Sequence, residues 1–143
     1  MKKKLAGVLP IVHVPFEDDG TIDTKILKKE IDWIFSVKAQ GLGTGMVSEI
    51  LRLTFEERIA LTNHIVQFSE GRGATFAGVG AESTKQALVY AKAAEKAGCD
   101  GIMAIPPVTT SLPEEAVLNH FRTLAEEVNL PLIVQDASGY VGQ

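Results

Sequence analysis

The feature that most restricts this chain is a repeat. A short apolar run followed by a longer amphipathic one recurs about every thirty residues. The apolar runs begin near Val8, Leu42, Thr75, Ile102 and Leu132. They are rich in Val, Ile and Leu and alternate poorly with polar residues, as strands covered on both faces do. Between them lie helical patterns with their own start and stop signals. Asp23 or Thr24 opens the first, in which Ile26, Leu27, Ile31, Ile34 and Phe35 recur at helical spacing. Thr54 with Glu57 makes a capping box for the second helix, and Ser83 with Gln86 another for the third. Pro113 stands in the first turn of the fourth. Gly41, Gly71 and Gly98 follow the first three helices as C-cap glycines. The order β-α-β-α-β-α-β-α-β predicts a parallel sheet with right-handed crossovers. A doubly wound sheet and a barrel both satisfy it. Four βα units fill about half of the roughly 250 residues of a full barrel, and no linker or second domain interrupts them.

Charge and cysteine content narrow the partners. The 143 residues carry a net charge of −4 and a pI near 5.4, so no basic surface is expected to bind nucleic acid. Lys2-Lys3-Lys4 reads as a solvated tail. Cys99 stands alone, which excludes an intramolecular disulfide and a thiolate metal cluster and suits a reducing compartment. The apolar stretch after the lysines is broken by Gly7 and Pro10, unlike a signal peptide. No stretch reaches the roughly 18 apolar residues of a membrane span, and a cytoplasmic protein without membrane contact is expected.

In a parallel α/β architecture the loops after the strand C-termini carry the chemistry. Here these are residues 13–16, 45–49, 78–83, 106–111 and 135–142. Read from Gly43, the dinucleotide pattern G-x-G-x-x-G requires glycine at position 48, where Ser48 stands. The better reading is a tight turn whose backbone N–H groups at Val47 and Ser48 face an anion such as a carboxylate. Glu49 is expected to brace this loop, and Met46 and Met103 to pack in the interior. His64 and His120 lie inside helices as surface or packing residues, and His13 is expected to be a core histidine bonded to backbone. No His, Asp and Glu set has metal-ligand spacing, so neither a metal nor a cofactor is expected. Asp136, beside Gln135, is the best-placed acid.

The same stretches carry a family likeness. Residues 7–16 followed by Glu17-Asp18-Asp19-Gly20 and Asp23 look like an opening strand ending in T-P-F, then D-G and D, with Val14 in place of the threonine. Residues 77–84 are similar to A-G-V-G-x-x-S/T-T, and residues 97–101 with Pro106-Pro107 to A-G-A-D-G and P-P-Y-Y. Gly139 and Gly142 match the glycines of Y-N-x-P-G-R-T-G. Together these resemble the dihydrodipicolinate synthase / N-acetylneuraminate lyase family. The likeness implies a (β/α)8 TIM barrel, of which residues 1–143 form the N-terminal portion of a single domain with about five strands and four helices.

The resemblance also implies a chemistry. Such enzymes hold a 2-keto acid as a Schiff base on a lysine ending the sixth strand, the protonated imine acting as an electron sink. The lysines here (residues 2–4, 25, 28, 29, 38, 85, 92 and 96) fall in the tail or on helices, so that lysine is expected beyond residue 143. The family's G-T-T-G-E loop reads Gly45-Met46-Val47-Ser48-Glu49. Its second P-P-Y-Y tyrosine, which reaches a neighbouring subunit's site, is Thr109, and its fifth-strand tyrosine is Gln135. The arginine that grips a second carboxylate is Tyr140. The resemblance therefore implies a lyase, aldolase or dehydratase for a small keto acid such as pyruvate, and not dihydrodipicolinate synthesis itself. Val47, Ser48 and Tyr140 would bind substrate, and Thr109, Gln135 and Asp136 would serve catalysis. Five strands leave open edges and an apolar interior, so a homo-oligomer or a completing segment is expected. The alternative is a truncated, non-catalytic remnant acting only through association.

Overall fold

The computed structural model describes residues 2–136. Helix α1 (Thr24–Ser36) is followed by strand β1 (Gly41–Gly43), a 3₁₀ turn at Met46–Ser48, and α2 (Phe55–Ser69). Then come β2 (Ala74–Gly78), α3 (Thr84–Ala97), β3 (Gly101–Ala104), α4 (Glu114–Glu127) and β4 (Leu132–Val134). The four strands are parallel in the order β1-β2-β3-β4. Order in space follows order in sequence, with no switch point, which excludes the doubly wound alternative.

The first expected strand is shorter than its apolar run. Residues 8–14 contribute a single parallel bridge, Ile11 to Gly43. It is made by Gly43 N–H donating to Pro10 O at 3.0 Å and Val12 N–H donating to Gly43 O at 2.9 Å. Upstream, Gln40 rather than Gly41 donates to Val8 O, at 3.0 Å, so the register slips by one residue. Pro10, with no N–H, cannot extend the ladder across the slip. The side chains still alternate here. Val12 and Val14 are buried, which turns His13 outward instead of into the core, where its Nδ1 lies 3.5 Å from Glu30.

Local signals place most helix ends. Asp23 caps α1 by accepting from the Lys25 and Ile26 N–H groups, and Thr54 and Glu57 form the reciprocal box at α2. Ser83 accepts from Gln86 N–H at α3, and Gly98 closes that helix with φ +94°. Two expectations are corrected. Lys38, not Gly41, takes the left-handed conformation after α1 (φ +69°). Gly41 lies inside β1, where a Cβ would meet Ala74 O at 2.2 Å. Pro113 is the N-cap of α4 and not a first-turn residue, its carbonyl accepting from Ala116 N–H at 2.9 Å.

The core forms two clusters under the helices. One joins Val12, Val14 and Leu42 to Leu27 and Ile31 of α1 and Leu61 and Ile65 of α2. The other joins Ala77, Val79, Ile102 and Ala104 to Ala87, Ala91 and Ala94 of α3 and Leu124 of α4. The alanines of α3 let it lie close on the sheet. Each large buried aliphatic contributes about 1.5–3 kcal/mol. By strand alternation Phe76 and Met103 point to the opposite face.

His120 of α4 is 2% exposed, with Nδ1 3.0 Å from Thr84 Oγ1. Burial lowers its pKa, and a hydrogen bond to the Ile105 backbone opposes that only in part. His64 is lowered by burial as well. A histidine kept neutral by the fold leaves stability intact above its unfolded value of about 6.5 and removes it as pH falls toward the depressed folded value. Urea unfolding is expected to give less stability at pH 5.5 than at pH 7.5. His120→Asn, which keeps a polar group near Thr84 but does not titrate, should shrink that difference. An unchanged difference would exclude His120 as its source.

Candidate functional site

The loops leaving the C-terminal ends of β1 to β4 converge on one end of the sheet. After β1, Thr44 is buried, and its hydroxyl accepts from Gly78 N–H at 2.9 Å. The chain then makes its 3₁₀ turn. Ser48 N–H donates to Gly45 O at 2.9 Å, and Glu49 N–H donates to Met46 O at 2.9 Å. Glu49 holds φ +55° and lies 3.4 Å from Arg52, bracing its own loop as expected. Ser48 is fully buried, its hydroxyl donating to Val12 O at 2.5 Å and accepting from Gly45 N–H at 3.2 Å. Of the two N–H groups expected to face an anion, that of Ser48 is therefore committed to the turn itself. Val47 is 56% exposed at its apex.

After β2, residues 78–80 are held from below by Arg58 of α2. Its Nη2 donates to Gly78 O at 3.1 Å and to Gly80 O at 3.0 Å, and its guanidinium lies 3.6 Å from the centre of the Tyr90 ring. Glu82 follows on the same loop and reaches the loop after β3. Its carboxylate accepts from Thr109 N–H at 3.1 Å, from the Thr109 hydroxyl at 2.5 Å and from Val108 N–H at 3.4 Å. Burial pushes the Glu82 pKa up, but these three hydrogen bonds outweigh it and hold the carboxyl below its ordinary value.

After β4, Gln135 N–H donates to Ala104 O at 2.9 Å. Its side-chain Oε1 is buried and accepts no hydrogen bond among the described residues. Asp136 is exposed beside it. Tyr140, with Gly139 and Gly142, lies outside the described residues. Gly45, Met46, Ile50, Gly78, Gly80, Met103, Ile105 and Gln135 line a shallow, largely apolar cavity of about 10 Å³ at this end. A larger cavity of about 390 Å³ opens where Lys2, Lys3, Ser69, Thr75 and Asp100 meet, at the N-terminal ends of β2 and β3. Parallel sheets present their reactive loops at the other end. Asp100 there accepts from Lys3 and Thr75 N–H groups, a structural clamp.

Among the described residues no group of three His, Cys, Asp or Glu is placed to hold a metal, and no helix is long and apolar enough to cross a membrane. Cys99 is buried, and desolvation pushes its thiol up to about 12.

The dihydrodipicolinate synthetase family profile matches residues 4–143. The chain belongs to this family. It is 36% identical over 137 residues to 4-hydroxy-tetrahydrodipicolinate synthase of Persephonella marina, covering 95% of this chain and 46% of that protein. A probable 2-dehydro-3-deoxy-D-pentonate aldolase of Escherichia coli K12 is 32% identical over 144 residues, covering 99% and 47%. Among solved structures, a prophage protein of the dihydrodipicolinic acid synthase family from E. coli K12, in complex with pyruvate, superposes with a TM-score of 0.94 at 26% identity, covering 97% and 47%. The chain thus spans about half the length of the relatives it matches, and its four helices and four strands form part of the family's TIM barrel.

Sequence reasoning passed over Thr44, Arg58 and Glu82. Arg58 had left a signal, since it shares a helical line with Leu61, Ile65 and Ser69, all buried. An arginine on a core-facing line needs backbone or ring partners. Glu82 had left none, because its partners lie in another loop. The role of Ser48 is testable directly. Ser48→Ala leaves Val12 O and Gly45 N–H without their partner in the interior and should cost about 1–3 kcal/mol in urea unfolding. No loss would show that the turn stands without it.

Proposed function

We propose that this chain belongs to a class I aldolase-type lyase, an aldolase or dehydratase, acting on a small 2-keto acid such as pyruvate. Membership of the family supports the lyase class, and the pyruvate complex of the E. coli prophage protein supports the acid. The observation that carries the reading is the tight turn at 45–49, kept at the mouth of a cavity lined by glycine backbone. On this reading Val47 N–H receives the substrate carboxylate, and Ser48 supports the turn from within. Thr109, whose hydroxyl proton goes to Glu82, serves substrate as an acceptor. Gln135 offers a carboxamide to the reacting end, and Asp136, next to it in sequence, serves as the acid. Tyr140 selects the second substrate or leaving group. The protein acts in the cytoplasm as a homo-oligomer.

Imine chemistry requires an unprotonated amine held against the keto carbon. A solvated ammonium is almost wholly protonated at pH 7. Lys28 is held further in that form, chiefly by its hydrogen bond to Asp32, and Lys92 pairs with Glu127 at 3.0 Å. The imine lysine is therefore assigned to the next strand of a complete barrel. Pyruvate with borohydride should leave the 143-residue chain unmodified by mass spectrometry, and a chain extended through that strand should gain one adduct. Stoichiometric trapping on any lysine of residues 2–136 would overturn the assignment. Light scattering should return a multiple of 15.4 kDa, and a stable 15.4 kDa species would argue against self-association.

A further inference from the structure

Among the described residues Arg58 is the one buried Arg or Lys side chain, at 6% exposure. It forms no ion pair with a carboxylate among the described residues. A buried charge without a counter-ion disfavours folding unless dipoles replace the lost water. Here the replacements are the Gly78 and Gly80 carbonyls and the face of Tyr90. Burial pulls its pKa down against the attraction of Tyr90, yet an arginine in a protein keeps its proton.

The carbonyls it takes are those that β2 cannot use. Val79 N–H continues the ladder to Met103 O at 2.8 Å, but the strand ends at Gly78. The buried carbonyls of Gly78 and Gly80 therefore need donors from elsewhere. Gly78 is gripped at both ends, its N–H by Thr44 and its carbonyl by Arg58. The turn also has no slack. A Cβ on Gly78 would meet Ile50 Cδ1 at 2.8 Å, and one on Gly80 would meet Ile105 Cγ1 at 2.7 Å. Ile50 and Ile105 line the same cavity as the two glycines. Any shift of this turn therefore moves the cavity wall.

We infer that Arg58 is a positioning residue of the site, whose guanidinium fixes the Gly78 and Gly80 carbonyls and so sets the wall of the shallow cavity that these glycines line. Lysine does not reproduce this placement: both carbonyls take their protons from one nitrogen, Nη2, and that nitrogen is held there by a planar guanidinium lying over Tyr90, which a shorter chain ending in a compact ammonium does not supply.

The test uses the 143-residue chain labelled with ¹³C and ¹⁵N. In R58K the strand amides should stay in place, while the Gly78 and Gly80 carbonyl ¹³C resonances shift together and Val79 and Ala81 amides exchange about tenfold faster. In R58A, millimolar methylguanidinium should return both carbonyl shifts along one saturation curve. Should R58A not fold, the R58K spectra decide alone. Unmoved carbonyl resonances in R58K would overturn the inference, as would methylguanidinium restoring the melting temperature of R58A without restoring the shifts. The consequence for ligand rests on the keto-acid reading: R58K should weaken pyruvate binding about tenfold. If the parent chain binds no pyruvate, the keto-acid reading fails and the carbonyl signature still decides the role of Arg58.

Discussion

The C-terminal end of the strands in this half-barrel depends on how closely β1 and β2 approach. Gly43 lies under the ring of Phe76, where a Cβ would fall 2.4 Å from the ring edge, and Gly78 lies where its Cβ would be 2.8 Å from Thr44 O. Only bare backbone permits both contacts at once. With the strands so close, Thr44 reaches across in two ways, its N–H donating to Phe76 O at 3.1 Å and its hydroxyl accepting from Gly78 N–H. The glycines at 41–45 that mimic a nucleotide loop are thus packing devices. They give the turn at 45–49 a fixed base.

Legibility in the sequence followed the range of the interaction. Caps at Asp23 and at Thr54 with Glu57 act within four residues and hold, and Ser83 caps α3 without the reciprocal bond from the Gln86 side chain that a full box requires. The apolar runs also announced the parallel order, because burial on both faces removes alternation. Failures came where a distant group decided. The ladder of residues 8–14 slips because Gln40 competes for Val8, bonding it through both backbone and side chain. His13 looked central by position, yet its neighbours Val12 and Val14 take the inward side of the segment. Gly41 was needed for contact with Ala74, so the left-handed residue after α1 fell to Lys38.

The site was legible in part for the same reason. The turn at 45–49 is a local object, and its place at a strand end followed from the repeat. What its groups bond to did not follow. Ser48 finds Val12 across 36 residues, and Thr109 finds Glu82 across 27. Both partners change the chemistry available. Ser48 spends its hydroxyl and its N–H on the fold, and Thr109 spends its O–H donor on Glu82, so each offers a ligand less than its residue type suggests. Residue identity at a strand end sets an upper limit on function, and the hydrogen-bond partners decide how much of it is left.

Taken in chain order, the loops at the C-terminal end of the strands are joined in sequence by such bonds. Ser48 ties the β1 turn to Val12, and Thr44 ties it to Gly78. Arg58 anchors residues 78–80 to α2 and, over Tyr90, to α3. Glu82 carries the connection to Val108 and Thr109, and Ala104 O carries it from β3 to Gln135. The links differ in strength. Those of Thr44, Ser48 and Arg58 are buried, where losing a partner costs a full desolvation penalty. That of Glu82 is exposed and charged, where water competes for the same groups. The β1 and β2 turns are thus the rigid half of the site, and the 106–110 loop is the half that can yield. A ligand whose carboxylate meets the first and whose far end meets the second would be held firmly at its common part and loosely at its variable part. On the keto-acid reading proposed above, that division would let one barrel accept different partners for the same acid.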